Sequence, residues 1–339
     1  MRLNKFLAPL ALAGLASSLT AQVVPIVPFA RTLDLLVVDT TNDRLYRLSD
    51  FDQNGDYAGP GEVLVAYDKL LGPFVWSSPS CVFVGADGTA YVGDVGTDTI
   101  YALRDTNGDG DMLDANEARI FFDPSNAGGV QMQQSHGITI DALGQMFVAV
   151  SNPGSVDGVL RLVDLNLDGD ANDPGEASYY HSVPNSASST AFSIPTKVAV
   201  GPDFALYFND VGTGAGQRGV WRLFDLNGDG DCDDAGEANL FWNPAAGTNA
   251  QYWSLAFDAT GAAYVTDHIG ERVWRGVDTD FDGVVDSTTL FYQTSGSTWW
   301  DLVVRDDGAL WLFDSDGNDR ITVLRDLDND FTALGAGEA

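Results

Sequence analysis

The chain of 339 residues holds only two cysteines and three histidines, and its 17 lysines and arginines face 49 aspartates and glutamates. Two cysteines cannot make a disulfide scaffold. Three histidines are too few for a zinc site that needs several of them on one wall. A formal net charge of −32, with no basic stretch to counter it, argues against nucleic acid and against anionic membrane surfaces. No Gly-x-Ser-x-Gly nucleophile elbow occurs. No Pro- or Ser-rich linker divides the chain, and helical periodicity is absent beyond the N-terminus. The apolar run Phe6–Leu15 is too short to span a bilayer. Preceded by Met1-Arg-Leu-Asn-Lys5 and followed by small residues to Ala21, it reads as a secretory signal over residues 1–21, leaving a mature chain of 22–339. Export without a transmembrane segment, to the periplasm, cell surface or medium, is the expectation.

What the chain has in abundance is one acidic loop, spelled six times. Successive copies begin 55, 59, 61, 53 and 48 residues apart. The six sets are Asp50, Asp52, Asn54, Asp56 and Glu62; Asp105, Asn107, Asp109, Asp111, Asp114 and Glu117; Asp164, Asn166, Asp168, Asp170, Asp173 and Glu176; Asp225, Asn227, Asp229, Asp231, Asp234 and Glu237; Asp278, Asp280, Asp282 and Asp286; and Asp326, Asp328, Asp330 and Glu338. Oxygen-bearing side chains at alternate positions, with a Gly that permits a sharp turn, suit a hard cation that wants six to eight oxygen ligands. Of the 49 acids, 28 lie in these segments, and carboxylates gathered round one point repel unless a cation fills it. The expected cofactor is Ca2+ at several sites. Solvated acidic turns are the plainer reading, since Asn, Asp and Gly form turns well, but a turn needs no alternation of oxygens.

Between the loops, four short β-branched and aromatic runs recur. Around the third loop they are Gly137–Ile140, Met146–Val150, Gly158–Val163 and Ser178–Ser182. The same unit returns at Cys81–Val84, Lys197–Val200, Ser254–Phe257 and Asp301–Val304, each followed by a tight hairpin turn. Six units of four strands specify an all-β, six-bladed β-propeller of antiparallel blades. The first unit begins at its second strand, Leu35–Val38, and the last stops before its outer strand. The segment Val23–Phe29 is therefore expected to supply that outer strand and close the ring. Cys81, in an inner strand, and Cys232, in an outer loop, would then lie too far apart to bond.

Asp39-Thr-Thr-Asn42-Asp43-Arg44-Leu45, Asp94-Val-Gly-Thr-Asp98-Thr-Ile100 and the Asp314–Ile321 turn resemble the turns of NHL-repeat propellers. The acidic insertions depart from that family and resemble EF-hand and dockerin loops. In an EF-hand the bidentate Glu is the twelfth loop residue, whereas here it is the thirteenth, and strands rather than helices flank it. The helix pair that opens in calcium sensors is therefore missing, and with it the mechanism of a switch. The fifth loop has Leu290 in place of the Glu, with Asp286 as a substitute, and the sixth has Phe331 in place of the Gly.

In such a ring the acidic loops share a face with the first hairpins. The opposite face gathers the entries to the inner strands. Trp76, His136, Tyr252, Trp253, Trp299, Trp300, Asp267 and His268 fall there and form a candidate aromatic rim for a sugar or another flat ligand. Two plainer readings stand beside it: the tryptophans pack between blades, and each Asp at a second-strand end anchors its own turn. Three function classes follow. They are a non-catalytic extracellular module binding a glycan or protein, an enzyme similar to secreted propeller lactonases and lyases, and a structural subunit. The first is the principal reading, with a monomer expected. For a metal-dependent lactonase, Asn152, Asn209 and Asp267 would be the oxygen ligands.

Overall fold

The computed structural model describes residues 34–152, 156–182, 194–212, 218–246, 248–305, 307–314 and 320–339. The signal segment and the Val23–Phe29 closing strand lie outside them. Twenty-two strands and no helix occur among the described residues. They form six antiparallel sheets in chain order. Blade one is β1 (Leu35–Asp39), β2 (Arg44–Leu48) and β3 (Val63–Asp68). Blade two is β4 (Pro79–Val84), β5 (Ala90–Asp94), β6 (Thr99–Leu103) and β7 (Ala118–Phe122). Blade three is β8 (Gln134–Ile140), β9 (Met146–Ser151), β10 (Gly158–Leu162) and β11 (Ala177–Ser182). Blade four is β12 (Pro195–Val200), β13 (Leu206–Asp210), β14 (Gly219–Leu223) and β15 (Ala238–Trp242). Blade five is β16 (Tyr252–Phe257), β17 (Ala263–Asp267), β18 (Arg272–Val277) and β19 (Ser287–Gln293). Blade six is β20 (Trp299–Val304), β21 (Leu310–Asp314) and β22 (Arg320–Leu324).

The sheets stand as blades round an axis, with the inner strands β4, β8, β12, β16 and β20 packed successively. The six-bladed β-propeller is the observed fold. A strand alternates its side chains between two faces, and here both faces are apolar because both are covered. On β13, Leu206 and Phe208 enter the seam with blade three, while Tyr207 enters the seam with blade five. Six buried clusters fill the six seams. The last joins Leu35 and Leu48 of blade one to Ala309 and Trp311 of blade six, so the two ends of the described chain pack together.

The acidic loops tie the seams from outside. In five of them the eighth residue donates its backbone N–H to the outer strand of the preceding blade: Met112 to Ala66 O, Ala171 to Phe121 O, Cys232 to Tyr180 O, Val285 to Phe241 O and Ala333 to Phe291 O, at 2.7–3.0 Å. Met112, Ala171, Cys232 and Ala333 are themselves buried. A loop that looks like pure solvated acid in the sequence thus carries one apolar residue that docks on its neighbour. Cys81 and Cys232 are both free and buried.

Trp76 illustrates the seam chemistry. It is fully buried, donates its indole N–H to Asp43 O at 2.6 Å, and packs against Tyr67 and Tyr101 with ring centroids 4.3 and 5.8 Å away. Trp76→Ala is expected to lower the unfolding free energy by about 3–5 kcal/mol. A denaturant titration checks this, and a loss below about 1 kcal/mol would show that the seam tolerates the cavity.

Candidate functional site

At the entry of each described inner strand the register slips. The irregularity falls between Pro79 and Cys81, Ser135 and Gly137, Pro195 and Val198, Tyr252 and Leu255, and Trp299 and Asp301. Such a bulge leaves residues unpaired with the neighbouring strand and re-aims their side chains. The bulges hold Ser80, His136, Thr196 with Lys197, Trp253 with Ser254, and Trp300. One bulge could be an accident, but the same defect in five blades at the same level builds a ring of redirected side chains at the channel.

Two groups form there. The first is aromatic. Trp253 lies 6.3 Å from His136, 5.8 Å from His268 and 4.7 Å from Trp300, and His268 lies 4.7 Å from Trp300, all centroid to centroid. Trp300 keeps 38% of its surface exposed, so the cluster offers an accessible ring edge. The second is polar. Lys197 Nζ of blade four reaches Asp301 of blade six at 2.8 and 3.1 Å from its two carboxylate oxygens. Ser254 of the intervening blade donates its hydroxyl to Asp301 Oδ1 at 2.5 Å. Three consecutive blades are thereby joined at their inner edges, through residues that include the chain successors of Trp253 and Trp300.

His136 is held by a defined relay. Ser151 Oγ donates to Gln134 Oε1 at 2.9 Å, which leaves the His136 Nε2 proton to be donated to Ser151 Oγ, also at 2.9 Å. Burial pushes the imidazole down to about 4, so it is neutral at neutral pH.

The expected rim divides accordingly. Trp253, Trp300, His136 and His268 converge in one aromatic cluster. Trp76, Tyr252 and Trp299 do not join them, because each is 0% exposed and packs in a seam. Tyr252 spends its hydroxyl on Asn243 Oδ1 and the Ala245 N–H. Asp267 is 1% exposed and accepts the backbone N–H groups of Gln251 and Gly270, clamping the strand entry to its own turn. Asp94 and Asn152 make the same clamp in blades two and three, which is the anchoring role and not a ligand-facing one. Lys197, Ser254 and Asp301 were missed in the sequence. The usable signal was that Lys197 is one of only three lysines, placed at a strand entry in a very acidic chain.

On the opposite face, each acidic loop is preorganised by its own oxygens. Asp105 Oδ2 accepts the Gly110 N–H at 3.0 Å, and Asp164, Asp225, Asp278 and Asp326 repeat the bond at 2.9–3.0 Å. The thirteenth-position glutamates are nearly buried and act as clasps. Glu117 accepts the Thr106 N–H at 2.7 Å and the Asp114 N–H at 3.1 Å, and Glu62, Glu176, Glu237 and Glu338 bond the same two positions of their own loops. Asp286 takes over part of this task in the fifth loop, accepting the Thr279 N–H at 2.8 Å.

Carboxylate oxygens able to hold a metal converge within 4.8 Å at Asp50, Asp52 and Glu62; at Asp109, Asp111 and Glu117; at Asp278, Asp280 and Asp282; and at Asp326, Asp328 and Asp330. In loops three and four no such carboxylate triple converges among the described residues. Their third position is Asn, as in loop two, and offers an amide oxygen. Burial first, and the nearby Asp109, Asp114 and Glu117 charges second, hold the Asp111 carboxyl above its ordinary value. Such crowding favours a cation at the centre.

No protein-family model and no curated protein matches the chain. Solved structures do. Virginiamycin B lyase from Staphylococcus aureus superposes with a TM-score of 0.53 at 15% identity, over 87% of this chain and 81% of that one. A gluconolactonase from Xanthomonas campestris gives 0.55 at 15% identity, over 84% and 80%. A protein of unknown function from Bacteroides thetaiotaomicron gives 0.56 at 14% identity, over 86% and 66%. At these identities the likeness shows the fold alone.

The low His136 pKa gives stability a pH dependence. Unfolded, the imidazole titrates near its usual value of about 6.5. As pH falls, the unfolded chain therefore binds the proton first, and the stability attached to neutral His136 drains away between roughly pH 7 and pH 4. Between pH 8 and pH 5 the difference is roughly 2 kcal/mol. Urea unfolding of wild type and His136→Gln at both pH values checks it: the variant should lose about that much less, and equal losses would contradict the assignment.

Proposed function

We propose that the protein is an exported, calcium-loaded binding module that takes a neutral, ring-shaped ligand, best matched by a sugar of an extracellular glycan, at the channel mouth. The observation that carries this reading is that Trp253 and Trp300, packed edge to face, occupy the bulges that hold Ser254 and lead into Asp301, each immediately preceding in sequence a member of the Lys197–Ser254–Asp301 group. A sugar ring has an apolar C–H face and a rim of hydroxyls that both donate and accept. An exposed indole meets the face, and an ammonium and a carboxylate side by side meet the rim. Because Lys197 is already neutralised by Asp301, a fully anionic ligand gains little there and works against a net charge of −32.

Calcium is the metal best suited to the loops, given hard oxygen donors, several carboxylates per site and an exported location where free calcium fills sites of modest affinity. Its role is stabilisation rather than switching, since no helix pair flanks the loops: loops one to five run between strands and the sixth follows β22.

A second reading is a hydrolase or lyase on the same face. It is favoured by the neutral His136, whose ring lies 6.3 Å from Trp253 in the aromatic cluster, and the superposed structures include a lyase and a gluconolactonase.

Two measurements test these readings. Calcium held at a hundredfold its dissociation constant stabilises a folded chain by about 2.7 kcal/mol per site. Exhaustive chelation should therefore lower Tm by at least about 5 °C, and calcium should restore it. An unchanged melt would remove the metal from the account. For the channel face, a glycan array is run beside a panel of lactones on the calcium-loaded protein. Trp300→Ala should weaken glycan retention by on the order of 1 kcal/mol without altering the calcium-dependent melt. Turnover of a lactone, abolished in Asp301→Asn, would instead establish the enzyme, and silence in both assays would leave a structural subunit.

A further inference from the structure

Hairpin tips and acidic loops occupy one face of the ring. Arginines at the ends of third strands, just before the loops, reach the tips: Arg104 to Asp87 at 3.2 Å, Arg222 to Asp203 at 2.7 Å and Arg325 to Asp307 at 2.8 Å. The six-fold repetition supplies an internal control on this face, because equivalent positions have the same backbone and different side chains.

At the hairpin tip the backbone is left-handed in blades two, three, five and six, where Gly88, Gly144, Gly261 and Gly308 have φ between 81° and 89°. Blade four puts Phe204 there, at φ 64°. The fourth loop position is left-handed in every copy. Gly108, Gly228 and Asn329 accept this readily, but the third and fifth loops carry Leu167 at φ 63° and Phe281 at φ 61°. The sixth loop position is Gly in five copies and Phe331, at φ 66°, in the last.

Left-handed backbone disfavours a branched or bulky side chain, and burial could offset that cost. Here it does not. Leu167 is 86% exposed, Phe204 82% and Phe281 84%. Phe331, 56% exposed, at least lies under the Arg275 guanidinium at 4.7 Å. The first three residues are thus unfavourable twice over, in backbone strain and in exposed apolar surface, with a tolerated alternative in the sister repeats. Leu143 and Leu165 add exposed apolar surface on the same arc, from blade three to blade five. Beside Phe204 a recess of about 210 Å³ opens between blades three and four, with Phe147, Tyr180 and Leu206 among its walls.

We propose that the arc from blade three to blade five is an interaction surface, whose partner is a cationic protein segment presenting apolar side chains. The apolar knobs stand among the most acidic segments of the chain, so a partner must bring both apolar contact and positive charge to match them. A second copy of this chain would bring the same charge, and an anionic bilayer would be repelled.

The test compares the wild type with the triple variant Leu167→Asn, Phe204→Gly, Phe281→Gly, which keeps every acid. The probes are a helical peptide of lysine and leucine, a peptide of lysine and serine with the same charge, and vesicles of anionic phospholipid. The lysine–leucine peptide should bind the wild type with salt-sensitive affinity, and the triple variant should bind it at least about tenfold more weakly. The lysine–serine peptide should bind more weakly to both proteins, without distinguishing them. The triple variant should melt at or above the wild-type temperature, because strain is removed and no packing is lost. Equal peptide affinity for the two proteins, or equal binding of the two peptides, overturns the proposal. So does a clear fall in Tm, which would make the side chains structural. Vesicle capture, or self-association of the wild type, that the triple variant abolishes would overturn the choice of partner.

Discussion

Everything in this molecule depends on the two-sided burial of its blades. A four-stranded sheet with apolar residues on both faces cannot stand in water, and each blade solves this only by giving one face to each neighbour. Six filled seams are the result, including the one where Trp311 meets Leu35 and Leu48. The closed arrangement leaves two surfaces free of packing duty, the channel mouth and the loop face. The unusual chemistry of the chain collects on those two.

At the channel mouth, regularity is broken by repeated bulges, and the side chains they release are those that pair across blades. On the loop face, regularity is kept in the backbone and broken in the side chains. The same left-handed turn carries Gly in one copy and Leu or Phe in another. In both places a local cost is borne where packing does not require it, and the two proposed surfaces rest on those departures.

Much of this was legible in the residues. Loop periodicity gave the blade count, and alternating apolar runs gave most strands to within two or three residues. The inner strands were read as starting at Cys81, Lys197, Ser254 and Asp301, yet they start at Pro79, Pro195, Tyr252 and Trp299. The bulge interrupts the alternation on which the reading rests, so Lys197, Ser254 and Asp301 read as the regular starts of inner strands and not as partners across blades. The Lys197–Asp301 bond joins residues 104 positions apart, and only the curvature of the ring brings them together. Burial of Trp76, Tyr252 and Trp299 was also hidden, because a tryptophan at a strand entry looks the same whether it faces a channel or a seam. The eighth loop residue did carry a signal: Met112, Ala171, Cys232, Val285 and Ala333 are uncharged and mostly apolar amid acids, a pattern a packing contact explains.

Those eighth residues give the ring a handed mechanical order. Each of these five loops belongs by covalent connection to one blade and grips the outer strand of the one before it, so peptide bonds and hydrogen bonds cross five of the six seams at different radii. A protease that cut the exposed tip of a loop would therefore free no blade. In loops two to five the piece after the cut would stay fastened to the preceding blade by its eighth residue, and to its own blade by the outer strand. A chain nicked there would run as two fragments only after denaturation.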